Sequence, residues 1–212
     1  MWNNRPSQKG LFIVISGPSG TGKTSVIREL CEGDTTLAFS ISATTRPPRS
    51  DETDGVDYHF LDETKFEALI QCGGFLEWVK YGGHYYGTLK STIESTIEKG
   101  QDLVLEIDVH GAMKVKDLGI RYTSIFLLPP SLQSLEKRLR NRKTESDSEL
   151  EQRLLTAKSE FDYVKDYNYC IVNPDHNVKE AVTQIRNIIS AERCRIDDQL
   201  LAAISQEFST PQ

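Results

Sequence analysis

Residues Gly17 to Thr24, GPSGTGKT, fit the pattern G-x-x-x-x-G-K-[ST] directly after a continuous apolar, β-branched run, Leu11 to Ser16 (LFIVIS). Average residue usage makes a chance match in a chain this long on the order of one in a hundred. The context narrows it further, because Val26, Ile27, Leu30 and Cys31 recur at helical spacing behind the loop, so the order is buried strand, glycine-rich loop, helix. A strand apolar on both faces belongs in a parallel sheet covered by helices. Glycines let successive N–H groups face one concavity at a helix N-terminus, where orphan donors and the helix dipole favour anionic phosphate. Gly17, Pro18, Ser19, Gly20, Thr21, Gly22, Lys23 and Thr24 are therefore expected to hold a nucleotide's phosphates. Lys23 would reach the β- and γ-phosphates and the Thr24 hydroxyl would help hold Mg²⁺.

The rest of the composition suits such a core. With 212 residues, 38% of them hydrophobic, the chain can bury roughly 70% of its unfolded surface around one core without disulfides or structural zinc. Cys31, Cys72, Cys170 and Cys194 stand singly, as reduced thiols do. A formal charge of -6 argues against a nucleic-acid partner held by a general positive field, so phosphate binding must be local. No apolar run approaches the roughly 18 residues of a membrane span and no signal peptide is apparent, so a cytoplasmic protein with no membrane partner is expected.

Further buried-strand patterns lie at Asp102 to Asp108, Tyr122 to Leu128 and Tyr169 to Asn173. From about Ser42 to Thr88 the texture changes to turn residues, a short helical segment near Glu63 to Gln71 and aromatic strand-like pieces (DYHFL, FLEWVKY, HYYGT), which predicts an inserted antiparallel lobe. A second, charged insertion runs from about Glu136 to Gln152, and the tail after Arg195 reads as a helix. Within the first insertion, Arg46 and Arg49 flank two prolines, and two preorganised guanidinium forks suit a phosphate. Tyr58, Tyr85 and Tyr86 could add phenol donors.

Taken in order, GPSGTGKT, SATTRPPR with GVDYHF, FLEWVKYGGHYYGT, LEIDVHG and RLRNRKTE with QRL resemble the guanylate kinase family of nucleoside monophosphate kinases, over about Leu11 to Ser190. The resemblance implies a three-layer α/β/α phosphate-loop kinase fold in one domain: a core at about 10–41, 89–135 and 156–200, a GMP-binding lobe at about 42–88 and a lid at about 136–155. It implies that Arg46, Arg49, Tyr58 and Tyr86 hold the GMP phosphate and that Ser42, Glu77, Thr88 and Asp108 read guanine. Guanine offers two donors, N1–H and the 2-amino group, so ionised carboxylates suit it and repel the acceptor N1 of adenine. Arg138, Arg142 and Arg153 would close over the transferring phosphoryl group, and Asn173 would contact the adenine of ATP. Glu106 or Asp108 could order Mg²⁺ through water, with the roles unapportioned.

The implied reaction is ATP plus GMP giving ADP plus GDP, with small-molecule partners alone and no catalytic histidine. A phosphate oxygen, its second pKa near about 6, needs no base to attack. Two departures from the family pattern are His110, where Gln is usual, and Ser50-Asp51 after Arg49. The competing expectations are a catalytically inactive protein-binding module of the same fold, or a kinase of another phosphorylated acceptor. Oligomeric state is not legible in the sequence.

Overall fold

The computed structural model describes residues 9–50, 52–140, 147–196 and 198–209. Its centre is strand β1 (Phe12–Ser16), buried at every position. Four further strands, β2 (Leu37–Phe39), β7 (Asp102–Glu106), β8 (Thr123–Leu128) and β9 (Tyr169–Val172), complete a five-stranded sheet in the order β2-β7-β1-β8-β9. All its pairings are parallel, with Phe12 opposite Leu103 and Ile13 opposite Thr123.

Because side chains alternate across a strand, the apolar run of β1 feeds two separate cores. Ile13 and Ile15 point to one face, where they pack with Val26, Ile27 and Leu30 of α1 (Lys23–Cys31) and with Ile185 and Ile189 of α7 (Val178–Arg193). Phe12 and Val14 point to the other, against Ile93 of α3 (Lys90–Glu98) and Ala112 and Val115 of α4 (Val109–Asp117). These layers are the three-layer arrangement expected, and they leave the carboxyl ends of the strands open as the crevice where open α/β sheets bind ligands.

A second sheet, ordered β4-β3-β6-β5, joins β3 (Ala43–Thr44), β4 (His59–Phe60), β5 (Phe75–Tyr81) and β6 (His84–Leu89). Two of its pairings are antiparallel as expected, whereas β3 with β4 runs parallel. Gly82 and Gly83, both at positive φ (58° and 84°), form the two-residue turn between β5 and β6. Helix α2 (Glu63–Gln71) is capped by Asp62, whose carboxylate accepts from the Lys65 amide at 2.7 Å. It presses the fully buried Phe66 against Phe75 and Tyr85, with ring centroids 4.2 and 5.2 Å away.

Beside the carboxyl end of β1, α5 (Leu132–Arg140) and α6 (Asp147–Glu160) share a small core of Leu135, Leu139, Leu150 and Ala157. A 3₁₀ turn (Phe161–Asp166) leads from α6 towards β9, and α8 (Asp198–Ser209) forms the expected helical tail. No helix among the described residues is long and apolar enough to cross a membrane.

Asp102 ties the layers together. Its carboxylate, 2% exposed, accepts from the Leu11 amide at 2.8 Å and from Nη2 of Arg193 at 2.7 Å, so it pins the entry to β1 and the end of α7 to β7. Asp102→Ala leaves two donors without their acceptor, and we expect a loss of about 2 kcal/mol. Thermal unfolding should then move down by about 5 °C.

Candidate active site

The phosphate loop begins where β1 ends. Gly17 stands at φ 142°, and a Cβ there would lie 2.4 Å from the carbonyl oxygen of Leu127 in the adjoining strand, so only glycine lets the chain turn out of the sheet at that point. Lys23, the first residue of α1, arches back and donates Nζ to the Gly17 and Pro18 carbonyls at 2.7 and 3.1 Å. The Thr24 hydroxyl donates to Oε1 of Glu106 at 2.9 Å. Asp108 instead caps α4, accepting from the Gly111 amide at 2.7 Å. The two carboxylates, left unapportioned by sequence, thus do different things: Glu106 faces the loop hydroxyl and Asp108 organises a helix start.

A cleft of about 760 Å³ opens between the loop and the second sheet, lined by Lys23, Thr24, Ser42, Tyr58, Glu106 and Asp108. A contiguous cavity of about 280 Å³ shares Ser42, Tyr58, Glu106 and Asp108 and adds Glu77 and Tyr86. The fully buried Thr88 donates its hydroxyl to Oε1 of Glu77 at 2.8 Å. Burial raises the Glu77 pKa, and the charge of Asp108 adds to the effect; the Thr88 hydroxyl and Lys114 offset part of it.

The arginine pair is organised by a residue that the motif reading missed. Glu52 holds Nη2 of Arg46 at 2.7 Å and accepts from the Arg49 amide at 2.8 Å, while the Arg49 guanidinium stays largely exposed, 3.8 Å from the same carboxylate. Those hydrogen bonds, that from Arg46 first, lower the Glu52 pKa. Arg46 lies over the Tyr58 ring, 5.6 Å from its centroid, and Tyr58 meets Tyr86 edge-on at 6.2 Å. The signal for Glu52 was present in the sequence, a carboxylate closing the turn after RPPR, but it reads equally as surface charge. Glu160 was missed as well. It is a buried carboxylate at the end of α6, raised in pKa by burial and drawn down by Lys23 and the Ser19 amide.

Arg138 and Asn173 both lie against the loop. Asn173, 6% exposed, donates Nδ2 to the Thr21 carbonyl at 2.8 Å, and Arg138 donates Nη1 to the same oxygen at 3.0 Å. Both also line a cavity of about 470 Å³ behind the loop with Gly22, Ser25 and Pro174. The Arg138 guanidinium is engaged by the Thr21 and Asn173 carbonyls and by Asp175. Arg153 lies on α6, partly exposed. Arg142 falls outside the described residues.

Gly22 is nearly as crowded as Gly17, with φ at 90° and Nδ2 of Asn173 only 2.5 Å from where a Cβ would stand. Gly22→Ala therefore adds left-handed strain and dislodges Asn173. We expect kcat/KM for MgATP to fall more than about tenfold with an unchanged far-ultraviolet circular dichroism spectrum.

Comparison with known proteins agrees with this geometry. The family model described as guanylate kinase matches residues 9–192. A guanylate kinase of Caldanaerobacter subterraneus subsp. tengcongensis is 48% identical over 90% of this chain and 91% of its own length. That of Clostridium tetani is 46% identical over 90% of each. The crystal structure of guanylate kinase from Anaplasma phagocytophilum superposes with a TM-score of 0.71 at 28% identity, covering 97% of this chain and 98% of that one. Loop, cleft and matched length together place this chain in the guanylate kinase family.

Proposed function

We propose that the chain transfers the γ-phosphoryl group of ATP to GMP, giving ADP and GDP, with the residues gathered around the cleft in the roles that follow. The observation that carries this reading is a pair of adjoining cavities that share Ser42, Tyr58, Glu106 and Asp108, one also lined by Lys23 and Thr24 and the other by Glu77 and Tyr86. A phosphate donor on the loop and a purine acceptor on the lobe would meet there. The assignment divides the chain into a core at about 10–41, 89–135 and 156–200, an acceptor lobe at about 42–88 and a lid at about 136–155.

Arg46, Arg49, Tyr58 and Tyr86 hold the acceptor phosphate. Glu52 keeps the Arg46 fork in place, so incoming phosphate oxygens meet a guanidinium already oriented. Ser42, Glu77, Thr88 and Asp108 face the base: the Thr88 hydroxyl occupies one Glu77 oxygen and leaves the other to accept from guanine. Lys23 swings from the loop carbonyls onto the donor's β- and γ-phosphates, and the loop amides follow them. The acceptor oxygen attacks in line, and since it is ionised near neutral pH the protein supplies position and charge, with no general base. Arg142 and Arg153, carried by the lid, add positive charge over the transferring group on closure, which also excludes water. Hard oxygen donors from Thr24 and Glu106, 2.9 Å apart, fit Mg²⁺ held partly through water. When bound, it would neutralise the charge of the donor's phosphates.

ADP release from MgATP should depend on GMP, be weaker with IMP, which lacks the 2-amino group, and be near background with AMP, CMP and UMP. Lys23→Ala should lose more than about a hundredfold in kcat. Turnover equal across the acceptors would overturn the assignment.

Glu77 also sets a pH dependence. Its raised pKa means that it takes up a proton at higher pH than an ordinary carboxyl group, and a protonated Glu77 loses charge and an acceptor. KM for GMP should therefore rise as pH falls from neutral, beginning above the ordinary carboxylate range. Glu77→Gln should raise KM for GMP about tenfold at neutral pH. It should also flatten that limb, leaving only the titration of GMP itself.

A further inference from the structure

Against the phosphate loop lies a hydrogen-bonded cluster in which Asp175 and Ser134 have no role assigned so far. The Thr21 carbonyl is doubly held, by Asn173 and by Arg138. Arg138 also donates Nη2 to the Asn173 carbonyl at 2.9 Å and sets Nε and Nη2 on Oδ1 of Asp175 at 3.1 and 2.8 Å. The same Asp175 oxygen accepts from the Ser134 hydroxyl at 2.7 Å. One planar fork thus joins three parts of the chain: the loop, α5 and the segment leaving β9. Its several rigid donors make that possible, and an ammonium could not replace it.

The geometry has a consequence for the other side of the loop. A trans peptide directs its carbonyl and the following N–H to opposite sides, and no peptide here is cis. With the Thr21 carbonyl held by two donors, the Gly22 N–H is turned to the opposite side of the peptide. Gly22 can follow because its φ of 90° is open to glycine.

We propose that Asp175 is a positioning residue of the donor-nucleotide site: through Arg138 it holds the Thr21–Gly22 peptide so that the Gly22 N–H faces the phosphates. The proposal rests on the reading of Gly17 to Thr24 as the donor site, and it gives Arg138 a place behind the loop. Asp175 touches no phosphate itself. Its carboxylate restrains a flexible arginine side chain in the one orientation that reaches both carbonyls.

The test compares wild type with Asp175→Ala, Asp175→Asn, Arg138→Lys and the double variant Asp175→Ala/Arg138→Lys, reading Kd for ADP by calorimetry together with KM for MgATP, KM for GMP, kcat and Tm. Asp175→Ala and Arg138→Lys should each weaken ADP binding and raise KM for MgATP about tenfold, with KM for GMP within about twofold of wild type. Asp175→Asn keeps an acceptor oxygen and should recover most of the affinity. The double variant should be no worse than either single change, because both break the same linkage. A lower Tm with unchanged ADP affinity would reduce the cluster to a structural tie and overturn the proposal, as would additive losses in the double variant. Since ADP affinity is read without turnover, a wild-type protein that fails to phosphorylate GMP would reject the acceptor assignment and still leave the clamp to be judged on binding.

Discussion

Everything at this site depends on how the chain leaves β1. The strand is buried on both faces and paired on both edges, so its exit is crowded by the backbone of β8, and a side chain at Gly17 would strike the Leu127 carbonyl. Glycine there lets the chain turn at once into a glycine-rich loop that ends in a helix whose N-terminus adds its dipole. Packing in the sheet and anion binding are thus two results of the same residues. The sheet order matters equally: β7 lies beside β1, with Glu106 opposite Ile15 in register, which brings an acidic side chain to the loop hydroxyl of Thr24.

A chain with a formal charge of -6 must gather its cations where they are needed and keep them oriented without phosphate. The described site does this by giving the key cations a protein acceptor of similar chemistry: Glu52 for Arg46, Asp175 for Arg138, and the Gly17 and Pro18 carbonyls for Lys23. A cation already held by a protein acceptor has given up most of its side-chain freedom before any phosphate arrives, so little further entropy would be lost on binding. The cost falls on the carboxylates. Glu77 and Glu160 are buried enough that their ionised forms are disfavoured, and each relies on a nearby donor or cation to offset it.

Long apolar runs made the main sheet legible, and residue spacing made α1 and α2 legible, because burial on two faces and helical periodicity both leave strong patterns. Strands β2 and β3, with three and two residues, carry too few positions for alternation to register, and sheet pairing alone defines them. The loop and the residues lining the cleft could be named from motifs. What those residues do to one another could not. The resemblance puts Asn173 near adenine and Arg138 near the transferring group, but only the fold reveals that both side chains donate to the Thr21 carbonyl. Glu52, Glu160 and Asp175 are single carboxylates without a pattern, and they acquire meaning only from partners distant in sequence or from a turn whose shape is tertiary.

The guanine end of the cleft carries a constraint of its own. Glu77 belongs to the second sheet and Asp108 to the start of α4 on the main one, so the two carboxylates assigned to one base come from different layers of the molecule. Helix α4 spans the gap. Its first turn is fixed by Asp108 itself, and Lys114 further along donates to the Trp78 carbonyl in β5 at 2.8 Å, one residue from Glu77. Gly111 lies between the carboxylates: a Cβ there would be 3.3 Å from Asp108 Oδ1 and 3.6 Å from Glu77 Oε2. Burial is the main reason that Glu77 resists ionisation, and the charge of Asp108 adds to it, so on the proposed reading a base offering two donors would offset both. On the proposed assignment, selectivity for guanine over adenine would follow from two ionised acceptors that suit guanine's N1–H and 2-amino donors and repel the acceptor N1 of adenine.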